Sequence, residues 1–158
     1  MQLSDGDLVA ASIELDKISF WVASADMAHD KDVPPEKVRT LVKEAAYRKK
    51  QLVVSCDANA HNSMWGSTNT IARGESILDF ILGNKLSVLN LGSEPTFITK
   101  SREEDLDITR TSDMFAHKIK RWRVLRVARF FWAEISTLDF FMLLNSVHFS
   151  TLLFQAEL

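Results

Sequence analysis

Gln51 to Cys56 is a short run with a continuously apolar interior, Leu52, Val53 and Val54, set between a basic cluster and a long polar stretch. It is too short for a helix and does not alternate, so it predicts a strand buried on both faces. Such a strand needs cover above and below, which commits the chain to a layered α/β arrangement.

The neighbouring segments supply that cover. Leu8 to Leu15 and Lys17 to Ala25 read as strands, the second rich in Ile18, Phe20, Trp21 and Val22. Pro34-Pro35 opens a helix whose stripe is Val38, Leu41, Val42 and Ala45, and which ends at Arg48-Lys49-Lys50. Gly74 to Lys85 predicts a second helix, with Ile77, Leu78, Phe80 and Ile81 inward. Shorter strands are expected over Leu86 to Leu89, Thr96 to Thr99, Leu106 to Thr109 and Ile119 to Leu125. Past Leu125 the character changes. Residues 126–158 carry many phenylalanines and no glycine or proline, and Leu138, Phe141, Met142, Phe149, Leu152 and Leu153 are spaced loosely as in a helix. Helix or irregular structure is expected there, divergent from residues 1–125.

A length of 158 residues suits one domain, and apolar and charged shares of 46% and 25% are those of a globular chain. A net charge of -2 does not suggest a protein wrapped in nucleic acid, but it is compatible with an acidic, metal-assisted site. Cys56, the single cysteine, excludes an internal disulfide and fits the nucleus or cytosol. Met1 to Asp7 lacks the pattern of a signal peptide, and Phe140 to Phe154 is too short and too polar to span a membrane.

The chemistry concentrates in Cys56-Asp57-Ala58-Asn59-Ala60-His61, directly after the buried run. Ligand sites in layered α/β folds gather at the carboxyl ends of strands. A carboxylate there can orient or deprotonate water, and a neutral amide two residues on can donate to a phosphate oxygen. Alone, Asp-x-Asn equally fits a strand-ending turn.

More residues join the pattern in a fixed order: Trp65-Gly66-Ser67, Arg73-Gly74-Glu75, Leu78-Asp79-Phe80-Ile81, Leu89-Asn90, Pro95-Thr96-Phe97, Leu106-Asp107-Ile108-Thr109 and Trp122-Arg123-Val124. Upstream stands Ser24-Ala25-Asp26-Met27-Ala28-His29-Asp30. Over about residues 8 to 125 the chain resembles the endonuclease domains of non-LTR retrotransposons, in the endonuclease/exonuclease/phosphatase superfamily. The resemblance implies a DNase I-like four-layer α/β sandwich, here partial and incomplete at both ends. It implies Mg²⁺-dependent nicking of DNA, with DNA as partner and no small-molecule cofactor. By the same likeness Asp57 is the carboxylate that handles water and a weak metal ligand, Asn59 the phosphate-binding amide, and Asp107 the carboxylate that orients a final histidine. His61 and Asp26 are the further substrate-side candidates.

The departures are specific. Asp26 stands where the family has Tyr; an ionised carboxylate cannot donate to a phosphate oxygen as a phenol does. Ala28 replaces a proline. The family's upstream Asn and metal-binding Glu have no counterpart, and no Asp-His pair follows Trp122-Arg123-Val124. A reading-frame change near Leu125 would account for the last, and the chain is expected to be inactive alone. The rival readings are a non-enzymatic relic, a weak nucleic-acid-binding remnant using the basic run from Lys118 to Arg129, and a superfamily phosphatase. The Asn-Ala-His and Trp-Gly blocks argue against the phosphatase. Trp65 is expected to anchor its loop, and Cys56 to be a small buried residue.

Overall fold

The computed structural model describes residues 3–5, 7–15, 18–90, 95–98, 100–101, 103–126, 139–143 and 150–156. The main sheet is built from β1 (Leu3–Asp5), β2 (Leu8–Leu15), β3 (Ile18–Asp26), β4 (Gln51–Asp57), β5 (Leu86–Val88) and β8 (Asp107–Ser112). Its order is β1-β2-β3-β4-β8-β5, so the continuously apolar β4 lies inside the sheet. The pair β3–β4 is parallel, and the pairs β4–β8 and β5–β8 are antiparallel.

Alternate residues of these strands serve two cores. Leu52, Val54 and Cys56 pack with Trp21, Ala23 and Ile108 against two helices, α1 (Glu36–Tyr47) and α2 (Ala72–Gly83). The stripe Val38, Leu41, Val42 and Ala45 of α1 is buried, as are Ile77, Phe80 and Ile81 of α2. On the opposite face Phe20 and Val53 pack with Phe115 and Ile119. Phe115 belongs to the short α3 (Asp113–Ala116), and its ring lies 5.1 Å from that of Phe20. This double burial is what the unbroken apolar run of β4 requires.

A second sheet, ordered β10-β11-β9, is formed by β9 (Ile119–Arg126), β10 (Asp139–Leu143) and β11 (Ser150–Ala156). A small hairpin, β6 (Phe97–Ile98) with β7 (Glu103–Glu104), stands apart from both sheets. The second sheet corrects the helical expectation for the tail. Residues 139–143 and 150–156 are strands, and β11 pairs antiparallel with β9 in the register Leu125↔Thr151. Local spacing that only loosely fits a helix yields to long-range pairing of a run rich in Phe, Leu and Thr. Residues 127–138 and 144–149, where the divergence was expected to begin and continue, lie outside the described residues.

The described layers are therefore helices, a mixed six-stranded sheet and a three-stranded sheet, the layered α/β arrangement that the buried β4 requires. Among the described residues no helix is long and apolar enough to cross a membrane.

Candidate active site

Three carboxylates stand in one row across three adjacent strands. Asp26 is the register partner of Asp57 across β3–β4, and Asp57 that of Asp107 across β4–β8. Register partners project from the same face of a sheet, and this row lies on the face that carries Phe20, Val22 and Val53. Asp26 is exposed, Asp57 half-buried and Asp107 buried. The sequence-predicted pairing of Asp57 with Asp107 is thus brought together at one edge.

Asn59 sits just beyond, in the left-handed backbone region at φ 46°. Its N–H donates to Asp57 Oδ1 at 3.1 Å, and its Nδ2 lies 3.5 Å from the Met27 carbonyl. A short polar side chain that bonds its own neighbourhood is the ordinary non-glycine occupant of that conformation. The loops after β3 and β4 are also joined directly, the Met27 N–H donating to the Asp57 carbonyl at 2.9 Å.

Burial governs the electrostatics. Burial, with the Asp57 carboxylate beside it, pushes the Asp107 carboxyl up to about 8, although a hydrogen bond from Thr96 works the other way. Burial likewise raises Asp105. Asp107 Oδ1 has no hydrogen-bond partner among the described residues. The residue the sequence reading passed over here is Thr96. Its buried hydroxyl oxygen accepts from the Leu106 and Asp107 N–H groups, both at 3.0 Å. Asn90 brackets the same strand, donating to the Asp107 carbonyl at 2.9 Å and accepting from the Thr109 N–H at 2.8 Å. Both residues lie in motifs visible in the sequence, but a buried threonine or asparagine reveals its partners only once the strands are paired.

His61 is engaged within the protein on both sides of its ring. Nδ1 lies 2.6 Å from Asn69 Oδ1, and Nε2 lies 3.4 Å from Glu104 Oε2 of the β6–β7 hairpin. Trp65 is the expected loop anchor: it is buried, and its indole N–H donates to the Ala60 carbonyl at 3.2 Å. Gly66, at φ 102°, closes the turn after it, and the Ser67 hydroxyl donates to the Asp105 carbonyl at 2.9 Å. The Trp-Gly-Ser block therefore fixes the loop beside the carboxylates. Of the basic run, the side chains of Arg121, Arg123 and Arg126 and the whole of Arg129 lie outside the described residues.

The chain is similar in fold to the endonuclease domain of TRAS1, a telomere-specific non-LTR retrotransposon, with a TM-score of 0.76 and 23% identity, covering 100% of this chain and 68% of that one. It is also similar to the 3'-5' exonuclease NExo from Neisseria meningitidis, with a TM-score of 0.60 and 12% identity, covering 96% of this chain and 65% of that one. A second NExo structure, a 3' phosphatase form bound to a product DNA hairpin, gives the same TM-score of 0.60 at 11% identity. At these identities the likeness is one of fold, and the chain spans about two thirds of each relative's length. No curated protein matches the chain in sequence. The family profile described as endonuclease-reverse transcriptase matches residues 25–128, which include all three carboxylates, Asn59 and the whole of β4 and β8. By that match, which takes in well over half of its length, the chain belongs to the endonuclease-reverse transcriptase family, on an endonuclease/exonuclease/phosphatase fold.

Proposed function

We propose that this chain carries part of the site with which a retrotransposon endonuclease cleaves a DNA phosphodiester. The observation that carries the reading is the row Asp26, Asp57 and Asp107 at one sheet edge, with Asn59 immediately beyond Asp57. Asp57 is half-buried and takes the proton of an attacking water. Asn59 keeps most of its amide donor capacity, since its nearest carbonyl is 3.5 Å away, and donates to a non-bridging phosphate oxygen. Asp107 stands beside Asp57 across β4–β8, at the position where the family's carboxylate orients a final histidine. His61 serves the substrate through the loop that it ties to Asn69 and Glu104. Asp26 repels a phosphate that a phenol in its place would attract.

Mg²⁺ is the cation expected of the family, and when bound it would polarise the phosphate and the water. It needs several well-placed oxygen ligands. Asp57 is suited to offer one. Among the described residues, however, no group of three or more His, Cys, Asp or Glu side chains gathers where a cation could sit. Asp107, raised to about 8, is mostly protonated at neutral pH. These residues alone do not form a Mg²⁺ site. On this reading the described residues alone do not cleave DNA. The same two facts, with Asp26 in the row, favour a second reading: a non-enzymatic remnant that retains weak affinity for nucleic acid.

Fluorescence anisotropy of a short labelled DNA duplex tests the site assignment. The chain should bind, and Asn59→Ala should weaken binding by about tenfold, the usual worth of a hydrogen bond to a charged group. Equal affinity for the parent, Asn59→Ala and Asp57→Ala chains would overturn the assignment.

A further inference from the structure

Arg73 makes an unusual set of contacts. Its Nε donates to the Ala58 carbonyl at 3.2 Å, its Nη2 to those of Met27 and Ala28 at 2.8 and 2.9 Å, and its Nη1 to those of Lys31 and His29 at 2.6 and 3.4 Å. A guanidinium has five N–H donors in a rigid planar fork. Here every donor direction is met by a main-chain oxygen.

The carbonyls belong to two loops. Met27, Ala28, His29 and Lys31 follow β3, which ends at Asp26; Ala58 follows β4, which ends at Asp57. The start of α2, from which Arg73 projects, is itself pinned to the second loop. The Ile71 N–H donates to the His61 carbonyl at 3.2 Å, and a Cβ at Gly74 would fall 2.0 Å from that same oxygen. The guanidinium is therefore delivered from a fixed point to the seam between the loops. The Met27 carbonyl that it binds is also the one within 3.5 Å of Asn59 Nδ2.

We propose that Arg73 is a positioning residue: by welding the loops after β3 and β4 it fixes Asn59 and Asp57 relative to Asp26, without touching substrate itself. The proposal rests on the reading of Asp57 and Asn59 as a phosphate-handling pair. Direct phosphate binding by Arg73 is the competing role, and it would require the guanidinium to give up carbonyls that already satisfy it. Lysine cannot replace it, because three donors on one nitrogen cannot span two loops.

The test uses the whole 158-residue chain with Arg73→Ala, Arg73→Lys and Asn59→Ala. Folding is followed by circular dichroism, backbone amide exchange by NMR, and duplex affinity by anisotropy across a salt series. Arg73→Ala should speed exchange at the Met27 and Asn59 amides by about tenfold or more, a local opening, while amides of α1 keep the parent rate. Its DNA affinity should fall as far as that of Asn59→Ala, with the salt slope unchanged. Low-millimolar guanidinium, but not ammonium, should restore both readouts. Arg73→Lys should behave like Arg73→Ala, and it decides the matter if the alanine variant does not fold.

Parent-like exchange at Met27 and Asn59 in a folded Arg73 variant would overturn the proposal. So would a salt slope reduced by about 0.9, the mark of a lost phosphate contact. If Asn59→Ala leaves affinity untouched, the site reading fails, and the positioning role falls with it. If Asn59→Ala weakens binding while folded Arg73 variants do not, the positioning role alone fails.

Discussion

Asp57 and Asp107 oppose each other across β4 and β8, and the more buried of the two, Asp107, carries an oxygen with no hydrogen-bond partner among the described residues. Two carboxylates so placed cannot both ionise cheaply. Burial first, then the charge on Asp57, pushes Asp107 from an ordinary 3.8 up to about 8.

The sign of the resulting pH dependence follows from that shift. Between pH 4 and 8 the folded chain holds a proton on Asp107 that the unfolded chain has released. The stability this confers is fully present below about pH 4 and is lost as pH rises through about 8. Urea unfolding of the parent should show declining stability across that window. Asp107→Asn should flatten the curve and be the more stable chain at pH 8 by roughly 1–3 kcal/mol. Parallel curves for the two chains would show that Asp107 titrates normally.

Arg110 presents the opposite charge in the opposite core. It is fully buried on the helix side of β8, 5.9 Å from the Phe80 ring, and Nε, Nη1 and Nη2 have no hydrogen-bond partner among the described residues. Replacing a buried charge with an apolar side chain of similar length commonly stabilises. Arg110→Met should raise the unfolding free energy by about 1–4 kcal/mol. A lower midpoint in the variant would mean that the guanidinium is well satisfied.

The two glycines of α2 should respond in opposite directions. A methyl group at Gly74 would meet the backbone carbonyl of His61, which cannot swing aside, whereas one at Gly83 meets nothing within 4 Å. Gly74→Ala should destabilise by roughly 1–3 kcal/mol. Gly83→Ala should stabilise by roughly 0.4–1 kcal/mol. Thermal melts of the pair check this, and equal effects would refute the close approach.

A plasmid-nicking assay addresses activity. With Mg²⁺ or Mn²⁺ the purified chain should convert no more supercoiled DNA than buffer does. Loss of acid–base help alone costs about 10²–10⁴-fold, and an unheld cation removes the remainder, since the parts of one catalytic unit fail together. Clear nicking that Asp57→Ala abolishes would show that the residues present suffice.

The sequence carried the double-sided burial of β4, the stripes of both helices and the junction at Asp57, because each depends on local periodicity or on one abrupt change in polarity. The pairing of Asp57 with Asp107 needed the motif order, for forty-nine residues, α2 among them, lie between the two. The acceptor set of Arg73 was not readable at all, since five main-chain oxygens leave no trace in residue identity. Thr96 read as the first residue of a strand but precedes it, and its hydroxyl serves a strand eleven residues on. The tail misled for a different reason: its spacing was weakly helical, and the pairing of β10, β11 and β9 is settled by partners that a local window does not contain.

The row of carboxylates is assembled from the last residues of β3 and β4 and the first residue of β8. It occupies the rim of the sheet, whereas the apolar contacts that hold the layers together lie farther along the strands. Its exposed member, Asp26, can therefore be exchanged with little effect on folding, whereas the buried Asp107 cannot. Position 26, where the sequence resemblance leads one to expect a phenol, is an exposed strand end at which folding does not oppose an aspartate.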